Sequence, residues 1–466
     1  MIASSREIAL RVLCRVEGKQ AYLGPALDAE LQKVPELDRR DRGLAAELSY
    51  GVLRHRTRLD WYLDQLAKKP MQKANLYLRS LLRLGAYQLM LLDRIPASAA
   101  INESVDLAGK YSWKMKLPVR IAKGVVNGIL RGLQRSEATL QKPESLSSVT
   151  ARLAAVYSFP EWLVTRWVER LGRERATECC RINNLPSPLS LRVNSLKLSA
   201  EELREELRPQ LDSLQRLPAP LHGFLISGAG PLRELSCLSN GSATVQNASS
   251  MLMPVLLDPQ PGERVLDVCA GSGIKTTQIA ELMRNQGRIL AVDLYEAKLR
   301  RLHEQCERCG VSIAQSRCLD MTTVCGGADI DDTGGQGFDR VLVDAPCSGL
   351  GVLRQHPEAK WTRQERDIQA LHELQFEILS RAARCLSSKG GVLVYSTCTT
   401  TPEENEKVLA RFLQQMPNFS VEPVRDYLPD DLHNCLTPEG YLRIEPPRHC
   451  YDGFFCARLL SKQHNS

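Results

Sequence analysis

Val341-Leu342-Val343-Asp344-Ala345-Pro346-Cys347-Ser348-Gly349 is a short β-branched run that breaks on an acid, a proline and a cysteine. Val392-Leu393-Val394 followed by Tyr395-Ser396-Thr397-Cys398 repeats the plan about fifty residues on. Apolar runs of this length, bounded by polar, Gly and Pro signals, read as buried parallel strands. The carboxyl ends of such strands line the reaction crevice of an open α/β sheet. Asp344, Cys347 and Cys398 are therefore expected around one pocket.

Upstream, strands and helices alternate from Gly262 onward, which predicts a doubly wound α/β domain. Val265 to Val268 reads as its first strand and Thr276 to Arg284 as the helix after it. Ile289 to Val292 is a second strand ending at Asp293. A short strand near Val311 to Ala314 precedes Asp320, and Glu365 to Leu386 reads as a long helix.

Between the first strand and its helix lies Cys269-Ala270-Gly271-Ser272-Gly273-Ile274-Lys275. Glycines there allow close backbone approach, and a helix N-terminus offers free N–H groups. Three ligands compete. A dinucleotide fingerprint needs glycine where Thr276 stands, and a Walker loop needs it where Ile274 stands. S-adenosylmethionine (SAM) has no phosphates and asks for an acid at the ribose hydroxyls, for which Asp293 is placed.

The fifteen cysteines are odd in number and scattered, as expected of reduced core thiols rather than a disulfide framework. Cys306-Glu307-Arg308-Cys309 has a zinc-like gap, but no second pair follows, so no metal site is assigned. Cys347 and Cys398 differ from the rest by sitting at strand exits in polar sequence. Two thiols in one crevice suit pyrimidine chemistry. A thiolate added to C6 of cytosine makes C5 nucleophilic, a neighbouring acid can stabilise the adduct at N3, and a second thiol can help release.

Net charge is +10 over residues 1–150 and −3 over the rest. A basic excess confined to one third of a chain points to a polyanionic partner. That third is helical throughout: Ile8, Val12, Leu13 and Val16 share a face, as do Leu44, Leu48 and Val52, and later Val126, Ile129 and Leu130. Basic corners are expected at Arg39 to Arg42, Arg54 to Arg58 and Lys110 to Lys123. Residues 137–150 read as a linker, and 150–248 as a small α+β connector. No apolar run is long enough to span a membrane, and no signal segment opens the chain, so a cytoplasmic address is expected.

Two resemblances follow from these residues. Asp41-Arg42-Gly43-Leu44, Gly51-Val52-Leu53-Arg54, Asp60-Trp61, Arg94-Ile95-Pro96 and Val126 to Arg131 resemble the NusB-type RNA-binding helical domain. The Asp344–Gly349 stretch, Arg354-Gln355-His356-Pro357, Ser396-Thr397-Cys398, Pro402-Glu403-Glu404-Asn405 and Asp452-Gly453-Phe454-Phe455 resemble the RNA cytosine-5 methyltransferases. The resemblance implies a NusB-like bundle (1–140), a connector (150–248) and a Rossmann-like SAM-dependent methyltransferase domain (249–463). It implies Cys398 as nucleophile, Cys347 as the aid to release and Asp344 against the base. Cys269, Ala270, Gly271, Ser272, Gly273, Ile274, Lys275, Asp293, Asp320 and Asp344 would hold SAM.

The expected partner is small-subunit rRNA at an unpaired cytosine, with no membrane, and the chain is expected to act as a monomer. The loop departs from the family's Cys-Ala-Ala-Pro-Gly-Gly-Lys at Gly271, Ser272 and Ile274, and a β-branched Ile274 does not readily take a positive φ. Asn247 replaces a common aspartate. These departures motivate an alternative, a non-catalytic RNA-binding or assembly factor with a decayed methyltransferase domain.

Overall fold

The computed structural model describes residues 3–136, 138–330, 337–448 and 450–462, the side chain of Arg233 excepted. The chain forms two compact units, residues 1–185 with 353–363, and residues 186–352 with 364–466.

The first unit is helical. Helices Ser5–Lys19, Arg39–Arg54, Leu76–Leu91, Ala97–Lys110 and Val119–Ser136 enclose a core that includes Ile8, Leu48, Leu81, Ile101 and Val126. Their starts are set by side-chain caps. Ser4 accepts from Glu7 N, Asp38 from Asp41 N and Asn75 from Tyr77 N, each cap worth about 1 kcal/mol. Gly51 is required by packing, since a Cβ there would lie 2.1 Å from Tyr87 Cζ.

Part of the basic excess points inward. Arg83 is buried and forks onto both oxygens of Asp60 at 2.7 and 2.8 Å, with Glu17 at 3.0 Å. Arg54 is buried and donates to Arg354 O, and Arg56 pairs with Glu17. The Arg54–Arg58 stretch is thus only partly a surface corner, because helical periodicity places a cation on a face without saying whether an acid awaits it there.

Helices Val149–Tyr157 and Glu161–Asn183 also belong to this unit, the second kinked at Gly172 (φ +77°). So does the segment Leu353–Arg363. Its Trp361 donates to Leu53 O at 2.9 Å, its Glu358 accepts from Leu23 N at 3.0 Å, and its Lys360 is fully buried over the Phe159 ring.

The second unit holds two sheets. The smaller is antiparallel, in the order β2 (Ser213–Arg216), β3 (Gly223–Ser227), β1 (Leu189–Val193), β4 (Ala243–Val245). β2, polar and exposed, has no apolar run to announce it. The larger sheet runs β10 (Phe419–Glu422), β12 (Phe454–Ser461), β9 (Gly391–Thr397), β8 (Arg340–Asp344), β5 (Arg264–Val268), β6 (Arg288–Asp293), β7 (Ala314–Cys318), with β11 (Leu442–Ile444) also on β12. Strands β5 to β9 are parallel; β10, β11 and β12 add antiparallel edges.

The chain goes from β5 outward to β6 and β7, then returns to the other side of β5 as β8. This reversal is a topological switch point, and it opens the crevice at the carboxyl ends of β5 and β8. β7 begins at Ala314, where the sequence places a strand's end, because its polar residues Gln315, Ser316 and Arg317 hide the period. The long helix ends at Ala383 rather than Leu386.

Candidate active site

Each strand end delivers one component. After β5 the backbone turns through Cys269 (φ +61°), Gly271 (+60°) and Gly273 (+82°), and Gly273 caps the helix Ile274–Leu282. Ile274 is the first helical residue and is not among the positive-φ positions. The expected conflict at its β-branch does not arise, since the glycines on either side of Ser272 carry the left-handed turns. At Gly273 a Cβ would meet Leu302 Cγ at 2.7 Å, whereas at Gly271 nothing lies nearer than 4.0 Å.

Asp293, at the end of β6, is 4% exposed. Its Oδ2 accepts from Gly271 N and its Oδ1 from Tyr295 N, both at 3.0 Å, so it fixes the turn. Asp320 follows β7 and accepts from Thr322 N at 3.0 Å and Thr322 Oγ1 at 2.7 Å through one oxygen. Asp344, at the end of β8, is paired to Lys275 Nζ at 2.5 Å and accepts from Ser396 Oγ at 3.2 Å. Burial would push the Lys275 ammonium down, but the charges of Asp344, Asp267 and Cys398 win and raise it above its usual range. Asp267 lies within β5, fully buried, with Oδ2 accepting from Thr276 Oγ1; burial pushes its carboxyl up to about 7.

The two thiols meet. Cys347 Sγ is 3.2 Å from Cys398 Sγ, although 51 residues separate them along the chain. Cys347 is held as a thiol, well above the ordinary cysteine range, first by its hydrogen bond with Cys398, then by burial and by the charge of Glu404. Cys269, by contrast, points its chemistry nowhere: burial pushes it up to about 12. Cys306 and Cys309 are buried on the helix Glu296–Cys309, while Cys318 and Cys325 are exposed.

Three features were not legible in sequence. The Lys275–Asp344 pair joins two residues that were named separately. Glu404, fully buried, accepts from Ser348 N, Ser348 Oγ, Gln375 Nε2 and Thr401 Oγ1, tying the Cys347 turn down. Arg192 of β1 is buried and donates to Ile274 O, Thr277 Oγ1 and Glu281 Oε1, each at 2.9 Å, so the small sheet braces the helix Ile274–Leu282. A charged residue inside an apolar strand was the available signal for Arg192. Asn247 accepts from Ser249 N as a helix cap and donates to Asp452 Oδ2 at 2.7 Å, which an aspartate could not do in its ionised form.

The donor set fits SAM better than a phosphate ligand. Asp293, Asp320 and Asp344 stand at successive strand ends, where they repel phosphates and suit hydroxyls and a cation. Lys275, the side chain a Walker loop would spend on phosphate, is committed to Asp344.

An open sheet of parallel strands with a glycine turn after its first strand and acids at its strand ends, preceded in the chain by a helical unit, defines a Rossmann-like methyltransferase that follows a NusB-type bundle. Comparison with known proteins agrees. Residues 254–460 match the family described as 16S rRNA methyltransferase RsmB/F, residues 3–135 the NusB family, and residues 159–231 the ferredoxin-like domain of RsmF/B-like methyltransferases. The probable ribosomal RNA small subunit methyltransferase B of Bacillus subtilis is 36% identical, over 98% of this chain and 99% of its own. The Synechocystis protein of the same description is 37% identical with the same coverage. Among solved structures, PH0851 superposes with a TM-score of 0.82 at 27% identity, covering 99% of this chain and 100% of its own. A methyltransferase homolog protein from Pyrococcus horikoshii gives 0.56 at 29%, over 68% of this chain and 100% of its own. The chain belongs to the 16S rRNA methyltransferase RsmB/F family.

Proposed function

We propose that this protein methylates C5 of a specific unpaired cytosine in 16S rRNA through a covalent bond between Cys398 and C6 of the base. The observation that carries the reading is the 3.2 Å approach of Cys347 and Cys398 at the carboxyl ends of β8 and β9. The relatives' descriptions supply the rRNA, and the acids around the β5 turn suit SAM. An unpaired target is expected because an A-form duplex hides its base edges. Residues 1–140 are read as the RNA-holding part, 150–248 as the connector and 249–463 as the catalytic part. The protein is read as a cytoplasmic monomer.

Cys398, as thiolate, adds to C6 and leaves an electron pair at C5. SAM, when bound by the 269–275 turn with Asp293, Asp320 and Asp344, supplies a sulfonium methyl group to that carbon. Asp344 contacts the base at N3, and the Lys275 ammonium paired with it offsets the negative charge of the adduct. The C5 proton is then lost to water, the C6–S bond breaks, and the electron pair returns to the Cys398 sulfur. Cys347, as a thiol beside that sulfur, hydrogen-bonds the departing thiolate and so aids release.

The test is a pair of variants with labelled rRNA fragment and SAM. Cys398→Ala loses methyl transfer and forms no adduct, whereas Cys347→Ala accumulates RNA-linked protein on a denaturing gel. Absence of any adduct in Cys347→Ala overturns the assignment. Calorimetry with SAM separates the alternative, a non-catalytic assembly factor, which would show no binding at millimolar cofactor.

A further inference from the structure

Two thiols 3.2 Å apart are chemically alike, yet only one can be the attacking sulfur. What distinguishes them is their surroundings. Cys347 lies on a turn whose next residue, Ser348, is held twice by Glu404: Ser348 N donates to Oε1 at 2.8 Å and Ser348 Oγ to Oε2 at 2.6 Å. Gln375 Nε2 reaches Oε1 at 3.0 Å, and Thr401 Oγ1 reaches Oε2 at 2.6 Å. Thr399, which follows Cys398, donates to Oε2 at 3.4 Å and shares a 2.8 Å hydrogen bond with Ser348 Oγ. One carboxylate therefore binds the turn of each thiol to the other.

Glu404 is fully buried and its partners in this network are neutral donors, an arrangement that stabilises a carboxylate without cancelling its charge. Its field falls on Cys347, whose ionisable neighbours also include Cys398 and the buried Tyr395 phenol. Lys275, itself paired with Asp344, is close enough for its charge to be coupled to Cys398. A buried anion beside one thiol and a cation beside the other make the two sulfurs inequivalent.

We infer that Glu404 is a positioning residue for the reaction: it locks the Cys347 turn against the Cys398 turn and sets its carboxylate on the Cys347 side, so that Cys398 is the sulfur left to attack. The assignment of the two roles rests on the function proposed above, but the electrostatic claim does not.

It is tested without RNA or SAM. In a Cys398→Ala background, alkylation of Cys347 by iodoacetamide is followed against pH by peptide mass spectrometry. Adding Glu404→Gln moves the midpoint down by one pH unit or more. Adding Ser348→Ala, which removes one clamp and keeps the charge, leaves the midpoint in place. An unchanged midpoint in Glu404→Gln overturns the inference. Should that variant not fold, the midpoint of Cys347 in Cys398→Ala is compared with that of Cys398 in Cys347→Ala: Cys347 lies at least one pH unit higher, and equal midpoints overturn the inference. Failure of this experiment leaves the methyltransferase reading standing, whereas failure of the adduct assay leaves the Glu404 result standing.

Discussion

Lys275 Nζ lies 2.5 Å from Asp344 Oδ2, so the second residue of the helix Ile274–Leu282 is tied to the last residue of β8 across the switch point. Both side chains are mostly buried, and removing one partner leaves the other uncompensated. Lys275→Met is expected to cost about 3–5 kcal/mol in urea unfolding at pH 7 and to abolish methyl transfer. The lysine's folded pKa is raised, so its contribution is complete below its ordinary value and fades only as pH climbs beyond that into the alkaline range. Wild type and variant should therefore differ by the same amount at pH 6 and pH 9.

Asp267 gives the opposite lesson. Its carboxyl is fully buried, one oxygen has no hydrogen-bond partner among the described residues, and burial raises it to about 7. A carboxyl raised on folding favours the fold while protonated, and that stability is lost as pH rises from about 4 through 7. Asp267→Asn keeps the acceptor for Thr276 Oγ1 and removes the charge. It should gain on the order of 2–4 kcal/mol at pH 8 and nothing at pH 4, read from paired urea melts.

In the helical unit, Lys360 is fully buried, donates to Asn184 Oδ1 at 2.6 Å and sits 3.6 Å over the Phe159 ring centroid. Burial holds its ammonium well below the usual lysine range. Here the unfolded chain binds the extra proton, so this residue makes stability rise with pH from its folded value up to the ordinary lysine range. Lys360→Met should flatten that rise, and stability at pH 7 should not fall below wild type by more than about 1 kcal/mol. A thermal melt series from pH 6 to 10 checks both.

Trp113 is 67% exposed, and Lys114 Nζ lies 4.2 Å from its ring centroid. An exposed indole beside Lys114, Lys116 and Arg120 suits a stacked base with its phosphates nearby. Trp113→Ala should weaken binding of an rRNA fragment by about tenfold, which is the lower end of the stacking range, and leave unfolding unchanged. Lys114→Glu should weaken binding and also flatten its salt dependence, measured by filter binding between 50 and 200 mM salt, a range over which phosphate contacts are strongly screened.

The sequence by itself determined the α/β class, the helical front and the residues at the strand ends. Period and punctuation are local properties, and Val341 to Val343 or Val265 to Val268 announce a strand whatever lies beside them. Even the departures at Gly271, Ser272 and Ile274 were legible as departures. Their consequence was not, because which residue of a turn takes the positive φ depends on where the next helix begins. Tertiary structure alone decided the order of β5 and β8, the union of Lys275 with Asp344, and the burial of Arg54, Arg83 and Arg192. It also put Glu404 beneath Ser348. A charge written in sequence carries no record of its partner, and whether it is solvated or buried is settled only when distant segments close around it.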